Sequence, residues 1–285
     1  MALDIKPSTA TCGATITGVD FSQGLSDGER RACINALIDH KVVAFPNQQL
    51  DDDQLEQASL QFGPFGEDPF IAPIPNRQHI IAVQRKANEQ APIFAENWHT
   101  DWSFQAQPPA ATCLYGITIP PTGGDTWYSD QIEAAKALPE TLRKAIAGRQ
   151  AIHSANLPYS PQGVYGETDR ATDRSMDIRA DASAEAVQLH PMLSPHPDTG
   201  EERIFGAVGY IIGIDGLPDD EALDILMQLL EHQSREEFVY KHQWQPNMLV
   251  LWDNRSVLHK ATGGYEGHDR LLHRTTIKTL TPPQS

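Results

Sequence analysis

The first strong periodicity lies near the N-terminus, where Ala32, Ile34, Leu37 and Ile38 recur at helical intervals. Ser26 and Glu29 stand just ahead at capping-box spacing, which predicts a helix running to about His40. The run Val42-Val-Ala-Phe45 then stops at Pro46, as a short buried strand would. A second helix is expected from Asp51, with Leu55, Ala58 and Phe62 on one face and Gly63 closing it. From about residue 80 to residue 127 the pattern changes to short strands between turn signals such as Pro108-Pro109 and Pro120-Pro-Thr-Gly-Gly124. Residues 129–148 read as helical, broken by Pro139.

Residues 154–188 are the least regular part, polar with Asp and Arg interspersed, and read equally as a lid or a helical insertion. Strands joined by a turn at Pro197-Asp-Thr-Gly200 are expected over 190–216. Residues 219–232 are amphipathic, with Leu223, Leu226, Met227 and Leu230 assigned to one face. Two final strands, Met248-Leu-Val-Leu-Trp252 and residues 271–280, enclose a turn-rich loop at Gly263-Gly264. No repeat or linker divides the chain. The expectation is therefore one domain over residues 1–285, mainly β with flanking helices, as a sandwich or open barrel.

Composition narrows the partners. With 38 acidic against 22 basic residues the formal charge is −16, a field that repels phosphate backbones and anionic lipid. No stretch approaches the roughly 18–20 apolar residues that span a bilayer. The start of the chain lacks a basic segment followed by an apolar core, so a secretory signal is not expected. Three cysteines without CxxC spacing (Cys12, Cys33, Cys113) argue against a disulfide framework and for a reducing cytoplasm. An anionic substrate would have to be captured by local cations against the global charge.

Among 11 histidines, His99 stands out in Asn97-Trp-His-Thr-Asp101. On a strand, residues i and i+2 share a face, so an imidazole and a carboxylate there could grip one cation. Downstream, the apolar segment Leu249-Val-Leu-Trp252 runs into a polar turn, and His259 follows. Two histidines and one carboxylate on a β-scaffold form the facial triad of non-haem Fe(II) oxygenases. Arg270 and Arg274, four residues apart, would point to one face of an extended strand and offer forks for carboxylates. Gly123-Gly-Asp-Thr126 could bring a hydroxyl donor to the same anion.

Together these segments resemble the taurine dioxygenase and dichlorophenoxyacetate dioxygenase family of Fe(II)/2-oxoglutarate enzymes. The resemblance covers nearly the whole chain. It is most specific at Trp98-His-Thr-Asp101 with Phe104, at Gly123-Gly-Asp-Thr126, at Trp252-Asp-Asn-Arg-Ser-Val-Leu-His259 and at the pair Arg270/Arg274. It implies a double-stranded β-helix (jelly-roll) core with Fe(II) held by His99, Asp101 and His259. It implies that 2-oxoglutarate chelates the iron and that Arg270 and Thr126 hold its distal carboxylate. Arg274 falls where the taurine enzyme binds its sulfonate. Phe70 and Ala95 replace polar contacts to taurine, while Tyr159 and Tyr210 replace phenylalanines over the iron, and Trp244 and Trp252 match pocket positions.

The activity so implied is O2-dependent hydroxylation of a small anionic organic substrate: a carboxylate, sulfonate or sulfate ester, larger and more apolar than taurine. Succinate and CO2 are the coproducts, and a carbon–heteroatom bond could break afterwards. The resemblance also implies a homo-oligomer, dimer or tetramer. Taurine dioxygenase proper, a desaturase or cyclase, a zinc-dependent hydrolase on the same three ligands and a non-catalytic jelly-roll binding protein stay open at this point.

Overall fold

The computed structural model describes residues 3–167, 169 and 172–281. Strands β1 (Asp4–Pro7) and β2 (Ala14–Thr17) precede helix α1 (Asp27–His40) and β3 (Val42–Phe45). Helix α2 (Asp52–Leu60) and β4 (Ile81–Arg85) lead through an irregular stretch to β5 (Ala111–Thr118) and β6 (Thr126–Asp130). Next come α3 (Gln131–Lys136), α4 (Glu140–Ile146), β7 (Gln150–Ser154) and α5 (Asn156–Tyr159). Four short strands follow: β8 (Val187–Pro191), β9 (Leu193–Pro195), β10 (Glu202–Ile204) and β11 (Ile211–Ile214). Helix α6 (Asp219–Gln233) precedes β12 (Val239–His242), β13 (Leu249–Asp253), β14 (Val257–Ala261) and β15 (Arg270–Ile277).

Local chemistry explains the helix boundaries. α1 and α2 both start on complete capping boxes, Ser26 with Glu29 and Asp51 with Gln54. Pro139 interrupts the helical run and becomes the N-cap of α4. Gly63 does not cap α2, which ends at Leu60. A side chain at Gly63 would come within 2.0 Å of the Thr279 carbonyl oxygen, so this glycine lets the C-terminal segment pass. The apolar face expected for α6 is also corrected. Ala222, Leu226 and Leu229 are buried, while Leu223 and Met227 are 55% and 49% exposed. Leucines flank the stripe on both sides, and packing against α4 and β11 selects which side is covered.

The seven-stranded sheet has the order β1-β2-β3-β13-β5-β15-β4, and facing it is a three-stranded sheet, β12-β6-β14. Alternation along the central strands divides two cores. Val43, Phe45, Cys113, Tyr115, Leu249 and Leu251 pack with α1 and α2. Val42, Ala44, Leu114, Val250, Trp252 and Leu272 point the other way, onto Tyr128 and Val257 of the smaller sheet and Trp244 just beyond β12. Strands covered on both faces read as unbroken apolar runs, which is why β3 and β13 are visible in sequence. The expected jelly-roll core is present. The two strands expected at the C-terminal end are in fact four, because β12 and β14 are short and carry histidine, lysine and tyrosine among their apolar residues.

Beyond β13 the chain is pinned by a buried network. His196 Nδ1 accepts from the Asp198 and Thr199 amides, so its Nε2–H donates to Asp253 at 3.0 Å. Arg255 grips the same carboxylate through Nε (2.8 Å) and Nη2 (2.7 Å). Burial opposes ionisation of Asp253, but the His196 and Arg255 hydrogen bonds prevail and hold its carboxyl down to about 2. With the folded value below the unfolded one, this contribution to stability is full above the ordinary carboxylate range and is lost as pH falls towards 2. Asp253→Asn is expected to cost about 3 kcal/mol at neutral pH, read as a lower midpoint in denaturant. The deficit should shrink as the comparison is repeated at progressively lower pH.

Candidate metal centre and substrate cavity

The two histidines reach one another through backbone pairing. The His99 amide donates to the His259 carbonyl at 3.0 Å, and the His259 amide donates back at 2.7 Å. This is an isolated bridge between the irregular 86–110 stretch and β14, so His99 and Asp101 do not share a strand face. The chain instead turns after His99. Asp101 lies in that turn, and Trp102 takes a left-handed backbone with φ of 49°. Convergence follows all the same: one ligand atom from each of His99, Asp101 and His259 lies within 4.8 Å of the others. Asp101 Oδ1 is 3.8 Å from His99 Nε2 and 3.7 Å from His259 Nε2.

Protonation suits a cation. His99 Nδ1–H donates to the Asn97 carbonyl at 2.8 Å, which leaves the Nε2 lone pair free. Burial lowers the basicity of both rings, His259 to about 3 with His99 beside it adding to the effect, so both are neutral donors near pH 7. Burial alone would raise the Asp101 carboxyl, but His259, Arg274, His99 and the Thr112 hydroxyl outweigh it and hold the group below its ordinary value.

A one-way chain of hydrogen bonds orients Asp101. Trp252 Nε1–H donates to Asn254 Oδ1 (2.8 Å), Asn254 Nδ2–H to Thr112 Oγ1 (2.9 Å), and the Thr112 hydroxyl to Asp101 Oδ2 (2.6 Å). The Thr100 hydroxyl ties the same turn to the Asn254 carbonyl at 2.7 Å. Sequence reasoning missed Thr112, Thr100 and the role of Asn254. Their only signal was the polar ending of an apolar strand, and for Thr112 a hydroxyl inside an otherwise apolar one.

The two arginines share the inner face of β15 with Leu272, as their spacing predicts, but their surroundings differ. Arg270 Nη2 donates to the Gly124 carbonyl at 3.0 Å, and its buried Nε has no partner among the described residues. Gly124, at φ +69°, makes room: a side chain there would meet Arg270 Nε at 3.0 Å. Arg270 borders a small cavity with Val83, Ile93, Phe94 and Tyr265. Thr126 is buried two residues after Gly124, and its Oγ1 accepts from Trp244 Nε1 at 3.0 Å, which leaves its own proton to donate. An orphaned guanidinium N–H and a spare hydroxyl fit the distal carboxylate of a small dicarboxylate. The His/Asp/His donor set fits Fe(II).

Arg274 is not alone. It pairs with Asp68, lies 3.5 Å from Asp101 Oδ1 through Nη1, and stacks over Trp102 at 5.0 Å. Asp68 was missed, because Gly66-Glu-Asp-Pro69 reads as an ordinary turn. Arg274 lines a cavity of about 340 Å³ with His99, Asp101, Trp98, Tyr159, Tyr165 and Tyr210. Ala95 and Phe94 also line it, and Phe94 borders the Arg270 cavity as well. Phe70 is set behind the wall, stacked on Tyr159 at 4.9 Å and 5.7 Å from Phe104, so it bears on the cavity through those rings. Trp252 likewise stays in the core against His259.

Much of the remaining wall comes from the 154–188 stretch, including Leu157, Pro158 and Val164. Of that stretch, Thr168, Arg170 and Ala171 lie outside the described residues. The rest is stitched to neighbouring loops. Asp173 accepts from the Gln90 and Ala91 amides, the Arg179 amide donates to the Phe70 carbonyl, and the Ser175 hydroxyl pairs with Glu89.

Jelly-roll core and facial triad together define the class of non-haem iron oxygenases. Within it, the chain belongs to the taurine catabolism dioxygenase TauD, TfdA family, whose family model matches residues 4–276. This is a family of Fe(II)- and 2-oxoglutarate-dependent dioxygenases, enzymes that use O2. The chain is 32% identical to an alpha-ketoglutarate-dependent 2,4-dichlorophenoxyacetate dioxygenase of Cupriavidus pinatubonensis, covering 97% of this chain and 98% of that one. It is 27% identical to an alpha-ketoglutarate-dependent sulfate ester dioxygenase of Pseudomonas putida, over 99% and 91%. A solved taurine dioxygenase from Burkholderia xenovorans superposes with a TM-score of 0.79 at 28% identity, over 96% and 90%. No helix among the described residues is long and apolar enough to cross a membrane.

If Thr112 orients Asp101 for the metal, Thr112→Val should keep the fold but weaken Fe(II) or Mn(II) binding by about 10–100-fold in a direct metal titration.

Proposed function

We propose that the 340 Å³ cavity takes a small organic anion with an apolar body larger than taurine (a carboxylate, sulfonate or sulfate ester) and that the enzyme hydroxylates it. The observation that carries this reading is that a guanidinium and two of the triad residues border one cavity whose other walls are aromatic and aliphatic. The names of the relatives, which act on phenoxy acids and sulfate esters, support the same chemistry. When bound, Fe(II), 2-oxoglutarate and O2 supply the oxidising power, with succinate and CO2 as coproducts.

The chain's own residues then have separable tasks. His99, Asp101 and His259 are the ligands of the metal. Arg270 and the Thr126 hydroxyl hold the distal carboxylate of 2-oxoglutarate. Arg274 orients the substrate by its acid group, so that the carbon to be attacked faces the triad. Tyr159 and Tyr210 line the cavity over that position, and Tyr210 lies 6.3 Å from His99 ring to ring. Leu157 and Val164, 51% and 63% exposed, form the apolar rim of a covering segment that keeps water from the reacting centre. Where the hydroxylated carbon bears an ether or ester oxygen, the product would collapse to a carbonyl and release that group. A hydrolase reading gives the orphaned Arg270 Nε no task. The three buried free cysteines support a reducing cytoplasm, and the family resemblance supports a homo-oligomer, dimer or tetramer, as part of the same reading.

Anaerobic addition of Fe(II) and 2-oxoglutarate to the apoprotein should raise a metal-to-ligand charge-transfer band. His99→Ala should abolish the band and 2-oxoglutarate decarboxylation together. Arg270→Ala should demand roughly a hundredfold more 2-oxoglutarate to reach the same band. Arg274→Ala should raise the substrate KM while uncoupled 2-oxoglutarate turnover continues. Equal loss of both activities in that variant would reassign Arg274 to the cosubstrate.

A further inference from the structure

The residue that sets apart the two β15 arginines is Asp68. Its side chain is 9% exposed and stands between three donors: Arg274 Nη2, Trp102 Nε1 at 2.9 Å and the Thr276 hydroxyl at 3.2 Å. Arg274 and Thr276 lie two apart on the inner face of β15, and Trp102 directly follows Asp101. One carboxylate thus ties the cation lining the cavity to the turn that presents a metal ligand. It also fills one arm of the guanidinium fork, while Asp101 stands 3.5 Å from the other and the buried Nε keeps no partner among the described residues. An acid entering the cavity meets a fork that is already part-occupied and whose positive charge is already balanced.

We infer that Asp68 is a specificity-determining residue, a built-in anion that competes with the substrate's acid group for Arg274. The inference rests on the reading of Arg274 given above. Its consequence is selectivity by the body of the substrate. With the cation balanced from within, a bare small anion gains little by entering. An anion with an aryl or long alkyl group is retained by burying that group among Tyr159, Tyr210, Trp102 and Leu157. Asp68 also steadies the fork, since a guanidinium held at Nη2 presents Nε and the remaining Nη1 proton in one orientation.

The test separates charge from geometry. Asp68→Asn keeps an acceptor oxygen for Trp102 and Arg274, and its amide can donate to Thr276 Oγ1, so only the negative charge is lost. Phenoxyacetate and acetate are titrated calorimetrically, without O2, into the Fe(II)- and 2-oxoglutarate-loaded protein. Asp68→Asn is expected to bind both roughly tenfold more tightly than the wild type, which brings acetate from negligible to measurable affinity while the ratio between the two acids stays the same. Asp68→Ala removes the same charge and repeats the comparison if the amide is not accommodated. Affinity that is unchanged or weaker in both variants, or binding in none of the proteins, overturns the inference. Arg274→Ala distinguishes the levels. If it loses phenoxyacetate while the Asp68 variants gain nothing, only the competitor role fails. If it binds phenoxyacetate as the wild type does, the assignment of Arg274 fails as well.

Discussion

One rung of β-ladder holds this centre together. The reciprocal amide–carbonyl bonds between His99 and His259 join a loop to a strand more than half the chain away, with no regular pairing on either side of the loop residue. Because neither neighbour of His99 is committed to a sheet, the chain can turn at once and bring Asp101 back beneath the two rings. The turn is then fixed by side chains, Thr100 onto Asn254 and Thr112 onto Asp101.

Charge is distributed just as economically. Asp101 is buried among neutral imidazoles and an arginine, and the proton chain from Trp252 through Asn254 and Thr112 ends on its second oxygen. Buried ions are costly unless paired and hydrogen-bonded. Arg274 meets that demand through Asp68 and Asp101, whereas Arg270 bonds the Gly124 carbonyl, faces the Tyr265 ring 5.9 Å away and feels Asp125 at longer range, with no ion pair among the described residues. The second arginine is the one left wanting an anion.

Much of this was legible in the amino-acid order. A capping box marked α1, Asp51 marked the start of α2, and strands buried on both faces stood out as apolar runs. The triad and both arginines could be named because metal and carboxylate chemistry draws on few residue types. Asp68 and Thr112 could not, since an Asp in a Gly/Pro turn and a Thr in a strand have commoner uses, and only the tertiary fold shows what they touch. The stripe of α6 was misread because leucines lie on both sides of it and the partner surface decides between them. β14 went unseen because the metal site interrupts its apolar pattern with His259, the general reason that functional strands are the hardest to read.

The ending of β13 carries a consequence for how such a chain can diversify. Trp252 and Asn254 serve the network that leads to Asp101, while Asp253 and Arg255 serve the one built on His196. Odd and even positions have opposite employers, so gaining or losing one residue here would exchange both sets together, whereas an ordinary replacement harms only one. Length variation is therefore shut out of this strand and left to the wall segments around residues 94–98 and 157–165. Descendants of this sequence would change their diet by lengthening or trimming those walls, leaving the oxidising machinery untouched.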